Sequence, residues 1–309
     1  MKKRRPGIFV AGASNIDLIS YVTRLPRWGE TLHGSRFHIG YGGKGANQAV
    51  MAAKLGGDVK ILTKLGNDIF GKNTQENFEL MGVDTKWVLF TDKAFSGVAP
   101  IIVNEKGQNA IIIVTGANDY LTLEEIHRAR EDISEADVVV CQLEIPVEMS
   151  LEVLKIAYEA GVTTVFNPAP ARPELPEELY QYSDIICPNE REAEMLTKLS
   201  IKTLEDAERA GKVLLDRGVD TVILTLGERG SLLMDKNGAF HIPSAKVKAI
   251  DTTGAGDAFV GSLAFFLAMG KPIKEAIRRA NYIAAISVQS SGTQVSFPRA
   301  DELPDDIIK

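Results

Sequence analysis

Short apolar runs alternate with longer amphipathic stretches along most of this chain, and no other feature of the sequence restricts the fold as strongly. The apolar runs predict buried strands over residues 8–11, 59–63, 138–142, 164–167, 185–187 and 221–226. The amphipathic stretches predict helices over residues 46–55, 74–81, 147–160, 190–196 and 204–217. Because strands that alternate with helices build parallel sheets, we predict an α/β fold whose sheet is covered on both faces.

Two regions interrupt this alternation, and they are called the lid segments below: residues 17–41 and residues 96–114. Their composition is typical of extended strands paired as hairpins. The predicted strands are 18–22, 31–39, 97–103 and 110–114, with a turn at 104–107. We expect the lid segments to form a small β-sheet lid inserted into the α/β domain. The alternative is that they are edge strands of the main sheet.

The charge balance argues against a nucleic-acid-binding protein. The net charge is −6 and the pI is about 5.4, whereas proteins of that class usually carry a basic face. No run approaches the roughly 18 apolar residues of a membrane span, so we expect no membrane association. Two cysteines, Cys141 and Cys187, are too few for a disulfide framework and predict a reducing cytosol.

The strongest chemical signal is a glycine-rich stretch, residues 251–257 (DTTGAGD), directly before an apolar helix predicted over 258–267. Backbone N–H groups and the helix dipole make such an N-terminus a site for anions, and glycines let a phosphate approach closely. Asp257 lies in the first turn, where its carboxylate can take a proton from an attacking hydroxyl. The alternative is a glycine-rich turn in which Asp257 only favours the start of the helix.

A second glycine-rich stretch, residues 42–48 (GGKGANQ), precedes another helix. It is not a Walker phosphate loop, because Gly45 stands where that motif needs Ser or Thr. The first strand is followed by GASNID rather than by a dinucleotide fingerprint, which disfavours a dehydrogenase. The loop, with Lys44 and Asn47, suits a ligand rich in hydroxyl groups. The alternative is a helix-start loop with a solvated lysine.

Polar residues follow several predicted strands at their carboxyl ends. Asn15 and Asp17 follow the first strand, where a local turn cap is the alternative interpretation. The others are 142–144 (QLE), 188–192 (PNERE) and 225–230 (TLGERG). Each is weak alone. Because the carboxyl ends of parallel strands meet at one edge of a sheet, their shared placement predicts a ligand site there.

Together these motifs resemble the ribokinase family of carbohydrate kinases, from Ile8 to about Arg299. The two signature regions are residues 42–48 and 251–261. The resemblance implies one domain over residues 1–309, a three-layer sandwich with a central, mostly parallel sheet and a small β-sheet lid. It implies ATP-dependent phosphorylation of D-ribose at its 5-hydroxyl, with Mg²⁺, activation by K⁺, and a homodimer formed through the lid strands.

The resemblance also implies a role for each candidate residue. Asp257 would be the general base, and the transferred phosphoryl group would be held by Gly254, Ala255 and Gly256. Ribose would be held by Asn15, Asp17, Gly43, Lys44, Asn47 and Glu144. ATP would be held by Asn189, Thr225, Gly227, Gly230, Gly256 and Asn281, and Asn189 with Glu192 would be linked to Mg²⁺. K⁺ would be surrounded by Asp251, Thr253, Ser287, Ser290, Gly292 and Ser296.

Other functions fit the same fold. One is a kinase for fructose 1-phosphate, 2-keto-3-deoxygluconate or adenosine, although Lys44 and Glu144 in this context favour ribose. Another is a sugar sensor without catalysis. Asp257 speaks against a sensor, because binding alone needs no base.

Overall fold

The structure is a computed structural model that describes residues 5–309, so the first four residues of the expected domain lie outside it. Its strands are β1 (Gly7–Ala11), β2 (Asn15–Val22), β3 (Arg36–Gly42), β4 (Asp58–Gly66), β5 (Val83–Asp84), β6 (Val88–Thr91), β7 (Gly97–Asn104), β8 (Asn109–Ile111), β9 (Val138–Cys141), β10 (Thr163–Phe166), β11 (Ile185–Ile186), β12 (Thr221–Thr225), β13 (Ser231–Asp235) and β14 (Gly238–Ile242). Its α-helices are α1 (Lys44–Lys54), α2 (Ile69–Met81), α3 (Leu123–Arg128), α4 (Arg130–Ser134), α5 (Val147–Glu159), α6 (Glu178–Gln181), α7 (Glu190–Thr197), α8 (Leu204–Leu215), α9 (Ala255–Ala268), α10 (Ile273–Ser287) and α11 (Asp305–Ile308).

The main sheet confirms the predicted fold class. Within residues 5–309 it has ten strands in the order β14-β13-β12-β11-β10-β9-β1-β4-β5, with β6 also paired to β4. The pairs from β12 to β5 are parallel, as the alternation of strands and helices predicts. At one edge β13 pairs antiparallel with both β12 and β14, and the alternation did not predict this β13–β14 hairpin.

Helices cover both faces of this sheet, and each face has its own apolar core. Neighbouring strand residues point to opposite faces, so Val10 enters one core and Phe9 enters the other. The Val10 core packs against α1, α9 and α10, and the Phe9 core packs against helices that include α5 and α8. None of the described helices is both long and apolar enough to cross a membrane.

The lid segments form a separate four-stranded sheet in the order β3-β2-β7-β8, so the edge-strand alternative is wrong. β2 pairs antiparallel with β3 and parallel with β7, and β7 pairs antiparallel with β8. The predicted strand over 31–39 is wrong for residues 31–35, since β3 begins at Arg36. The carboxylate of Glu30 bonds the Arg24 side chain and the Arg27 N–H, which folds the preceding loop on itself.

The last predicted lid strand also ends early, at Ile111 rather than at residue 114. The next residue, Ile112, lies opposite Pro100 on β7, and the Pro100 carbonyl accepts the Ile112 N–H at 3.0 Å. Proline has no N–H to return that bond, so the regular ladder stops there. A single bridge, Val98 to Val114, closes the end of the sheet.

Close backbone approach brings the two signature regions together. A methyl group added at Gly261 on α9 would lie 2.5 Å from the Gln48 carbonyl oxygen and 2.8 Å from the Met51 Cβ, both on α1. A methyl group added at Gly45 would lie 2.6 Å from the Gly12 backbone. Glycine at these points therefore lets α1 touch both α9 and the loop after β1.

We predict that the same substitution changes the free energy of unfolding differently at two glycines of α9. Gly261→Ala should lower the free energy of unfolding by about 1–3 kcal/mol, because the added methyl overpacks the contact with α1. Gly256→Ala is the matched control, since an added methyl meets no atom within 4 Å there. It should leave the unfolding free energy unchanged or raise it by up to about 1 kcal/mol. Urea unfolding measures both, and equal losses would contradict the close-approach argument.

Candidate active site

The polar residues that follow the strands do converge on one edge of the main sheet. Asn15 begins β2, after a short loop that follows β1. Glu144 lies just after β9, Asn189 lies just after β11, and Thr225 ends β12. Parallel pairing aligns these carboxyl ends, as open α/β sheets do at their ligand sites. The N-termini of α1 and α9 meet at the same edge.

Asp257 is buried at the first turn of α9 and is 6% exposed. Its Oδ2 accepts a hydrogen bond from Asn47 Nδ2 at 2.8 Å, and its Oδ1 accepts one from Gln48 Nε2 at 3.0 Å. The helix begins after Gly254, whose φ of 77° lies in the left-handed region that favours glycine. The carboxylate is therefore held from two sides beside the N-terminus of a helix.

The glycine-rich loop before α9 opens into a cavity of about 1130 Å³, and Thr252, Ala255 and Gly256 are part of the cavity wall. N–H groups in the first turn of a helix have no acceptor within that helix. The Ala255 N–H makes a long bond of 3.3 Å to the Thr252 carbonyl, whereas an added methyl at exposed Gly256 would meet nothing within 4 Å. An anion can therefore approach the loop at Gly256.

The predicted sugar residues form an electrostatically coupled group. The Lys44 N–H donates to Glu144 Oε2 at 2.8 Å. Burial, followed by the negative charges of Glu144 and Asp257, raises the pKa of Asp17 to about 6. Burial also raises the pKa of Glu144, an effect that the Lys44 ammonium only partly offsets. Burial lowers the pKa of Lys44, but nearby carboxylates, Asp257 first, outweigh it and raise that pKa overall.

Two more of the predicted sugar residues, Asn15 and Gly43, are held by contacts with other parts of the chain. Asn15 is 5% exposed, and its Oδ1 accepts from Asn118 Nδ2 at 3.0 Å, which leaves the amide N–H₂ of Asn15 for other partners. Gly43 has a φ of 89°, and a methyl group there would lie 2.6 Å from the Ala13 carbonyl oxygen. The loop that starts α1 therefore lies directly against the loop after β1.

The predicted nucleotide residues line the 1130 Å³ cavity. They are Asn189, Thr225, Gly227, Gly230, Gly256 and Asn281. The Asn281 side chain is 5% exposed, and its amide bonds the Ser231 hydroxyl and the Ile242 carbonyl. Asn281 therefore shapes the wall and has its polar atoms committed to the protein.

Asn189 and Glu192 form a reciprocal cap at the start of α7. Glu192 Oε2 accepts the Asn189 N–H and Glu192 Oε1 accepts Asn189 Nδ2, both at 2.9 Å, and Asn189 Oδ1 accepts the Glu192 N–H. Within residues 5–309 no group of three or more His, Cys, Asp or Glu side chains could hold a metal ion. A Mg²⁺ ion linked to this pair stays a prediction, since both carboxylate oxygens of Glu192 accept bonds from Asn189.

The predicted K⁺ residues lie in two segments that contact each other: the loop before α9, and the end of α10 with the loop that follows it. Asp251 joins the loops, because its Oδ1 accepts the Thr253 N–H and its Oδ2 accepts the Gly292 N–H, both at 2.9 Å. Partial burial raises the pKa of Asp251, but these bonds outweigh it and lower that pKa overall. The Ser287 hydroxyl donates to the Ala284 carbonyl of its own helix, and the Ser296 hydroxyl donates to the Thr293 carbonyl. Ser290 is exposed. A K⁺ ion at this point stays a prediction, and the bonds of Asp251 show that the two segments it would join are already in contact.

Sequence reasoning assigned no role to several amides of this site. Gln48 and Gln142 occur in motifs described above and Asn167 ends a predicted strand, and their position at strand and helix ends was the available signal. Asn77, Asn118 and Gln294 lie outside these motifs, and no local pattern marks them. The structure places all six close to the residues that were predicted.

The chain is similar along nearly its whole length to known carbohydrate kinases. The model of the family described as "pfkB family carbohydrate kinase" matches residues 5–300. Mouse ribokinase is 47% identical over 301 residues, covering 96% of this chain and 93% of the mouse protein. A Salmonella typhi deoxyribokinase is 41% identical over 295 residues, covering 96% of each chain. The structure of Arabidopsis thaliana ribokinase complexed with ribose and ATP superposes with a TM-score of 0.90 at 31% identity and 97% coverage of both chains. The chain therefore belongs to the pfkB family of carbohydrate kinases.

Proposed function

We propose that this protein is an ATP-dependent ribokinase, which transfers a phosphoryl group to the 5-hydroxyl of D-ribose. The observation that carries the proposal is the buried carboxylate of Asp257, placed between the nucleotide cavity and the coupled sugar residues. The names of relatives that match along nearly the full chain support ribose as the sugar.

In this mechanism different residues bind the sugar, accept its proton and stabilise the charge of the phosphoryl group. Asp17, Glu144 and the Asn15 amide hold the sugar hydroxyls, and Lys44 balances the surrounding carboxylates. Asp257 accepts the proton of the attacking hydroxyl. The N–H groups after Gly254 meet the charge of the transferred phosphoryl group, and Mg²⁺ supplies further positive charge when it is bound. Glu192 holds Asn189 at the phosphate end of the cavity.

A deoxyribokinase is the second candidate, because one relative at 41% identity carries that name. The two sugars differ by one hydroxyl, so a site built for ribose leaves a polar partner unpaired when deoxyribose binds. ADP release with ribose, 2-deoxyribose, fructose 1-phosphate, 2-keto-3-deoxygluconate and adenosine separates the candidates. A higher kcat/KM for any sugar other than ribose would replace ribose as the substrate.

We also propose that residues 1–309 form a single kinase domain. Its lid segments are proposed to close over the sugar and to form a homodimer interface. Support comes from large exposed apolar side chains on this small sheet, which include Phe37, Ile39 and Ile111. Sedimentation of the purified protein measures the oligomeric state directly. A reducing cytosol remains our prediction for its location, because Cys141 and Cys187 are both free.

Asp257→Asn should abolish turnover while ribose binding survives. Loss of a positioned general base costs about 10²–10⁴ in rate. The variant also turns one acceptor oxygen into an N–H₂ group that faces the donor of Asn47 or Gln48. ADP release gives kcat, and calorimetry gives ribose affinity. A kcat near that of the wild type would remove Asp257 from the role of base.

Ribose affinity should fall below about pH 6. The pKa of Asp17 is raised to about 6 in the free protein, so this side chain is an ionised acceptor above that pH and is protonated below it. The loss should approach roughly tenfold for each further pH unit. Calorimetric titration from pH 5 to pH 8 measures it. The control is Asp17→Asn, which should bind ribose weakly with a flatter profile, and an unchanged slope would assign the effect to another group.

Potassium should activate the enzyme without contacting either substrate. A cation between residues 250–253 and 287–296 would fix the loop that leads to Gly254, and so preorganise its N–H groups. Initial rates are compared in potassium-free buffer and after addition of K⁺ or Cs⁺ at constant ionic strength. Asp251→Ala should remove the activation. Rates that do not depend on the cation would contradict the proposed site.

A further inference from the structure

Two consecutive side chains of α1 hold the carboxylate of Asp257. Asn47 donates to one oxygen and Gln48 donates to the other. Successive residues of a helix point about 100° apart, so the two amides approach the carboxylate from different directions. All three side chains are buried, at 5%, 0% and 6% exposed for Asn47, Gln48 and Asp257.

An amide can assist a carboxylate only when its N–H₂ group faces it, and it repels the carboxylate when it is turned over. The orientation of the Gln48 amide follows from a chain of hydrogen bonds that starts at a backbone carbonyl group. Asn167 Nδ2 donates to the Cys187 carbonyl at 2.8 Å, so Asn167 Oδ1 must accept, and Gln48 Nε2 donates to it at 3.1 Å. Gln48 Oε1 must then accept, and Gln142 Nε2 donates to it at 2.7 Å.

A parallel chain of amides fixes Asn47. Gln294 Nε2 donates to Asn47 Oδ1 at 3.1 Å, which leaves Asn47 Nδ2 to face Asp257. Asn77 Nδ2 donates in turn to Gln294 Oε1 at 2.9 Å. Lys54 Nζ holds the segment that carries Gln294, through the carbonyls of Gln294 and Phe297 at 2.7 Å each.

The orientation of Gln142 leaves one of its buried polar atoms without a hydrogen-bond partner. Its side chain is fully buried, and its Oε1 has no hydrogen-bond donor within residues 5–309. A methyl group added at Gly12 would lie 2.1 Å from this oxygen, so the backbone of the first loop is packed against it. Turning the amide over would place Oε1 against Gln48 Oε1 and lose the bond to Gln48. Buried polar atoms without partners are rare, and each one that persists calls for a functional reason.

We propose that Gln142 and Gln294 are positioning residues for catalysis, which aim the amides of Gln48 and Asn47 at the two oxygens of Asp257. The inference rests on the proposed role of Asp257 as the general base. Neither glutamine touches the reacting atoms. Each acts through the residue that it orients, and together they fix the direction in which the base meets the sugar hydroxyl.

The test uses Gln142→Met and Gln294→Met, which keep the side-chain volume and remove the donor. Gln142→Met also removes the unpaired oxygen, so its resistance to urea should equal or exceed that of the wild type. Its kcat should nevertheless fall about 10- to 100-fold, because small misplacements of catalytic groups have effects of that order. The KM for ATP should not change. Gln181→Met, at an exposed position on α6, is the matched control and should behave as wild type.

A double variant separates positioning from a general structural effect. If Gln142 acts through Gln48, then Gln142→Met combined with Gln48→Met has the same kcat as Gln48→Met alone. Losses that multiply would overturn the proposal for Gln142. Wild-type kcat in both Gln142→Met and Gln294→Met, with Asp257→Asn inactive, would overturn the positioning role and leave the proposed function intact. An active Asp257→Asn variant would instead remove the general-base role on which this inference rests, and the sugar panel described above tests the proposed function separately.

Discussion

Asp257 carries a carboxylate into the interior at the start of an otherwise apolar helix, and much of the surrounding structure compensates for that burial. A buried charge is costly unless it is hydrogen-bonded. The bonds come from α1, so α1 and α9 must cross at very short distance. Gly261 permits that crossing, and Gly45 lets α1 start against the loop after β1. The glycine-rich signatures thus have a structural task in addition to any contact with phosphate.

The charge of the site is balanced around one lysine. Asp257, Glu144 and Glu192 all raise the pKa of Lys44, despite its burial. Burial raises the pKa of Glu192, as it does those of Asp17 and Glu144. The Lys44 ammonium group is therefore exposed to the negative charges of several carboxylates. Glu144 belongs to the proposed sugar site, and Glu192 belongs to the cap at the start of α7. A neutral sugar can enter without adding to the negative charge.

The sequence predicted those parts of the molecule that local pattern determines. Strand ends with polar residues, such as Asn15 and Glu144, were found because apolar runs stop there, and Asp257 because it follows a glycine-rich turn. The alternation of strands and helices did not predict the edge hairpin β13–β14, because a hairpin joins its two strands without a helix. Gln294 and Asn77 could not be found either. Their meaning lies in a contact between segments 217 residues apart, which no local pattern encodes.

The amide bonds around the base join residues that are far apart along the chain. Asn47 reaches Asp257 across 210 residues and Gln294 across 247 residues. During synthesis, Asn47 and Gln48 emerge long before any of these partners, and α1 cannot bury its polar face until the last sixth of the chain arrives. Contacts of this kind are slow to form, because the entropy of closing a long loop precedes their benefit. We therefore expect the proposed catalytic centre to be among the last parts of the protein to become native, and a chain that stops before α9 leaves the amides of α1 without these partners.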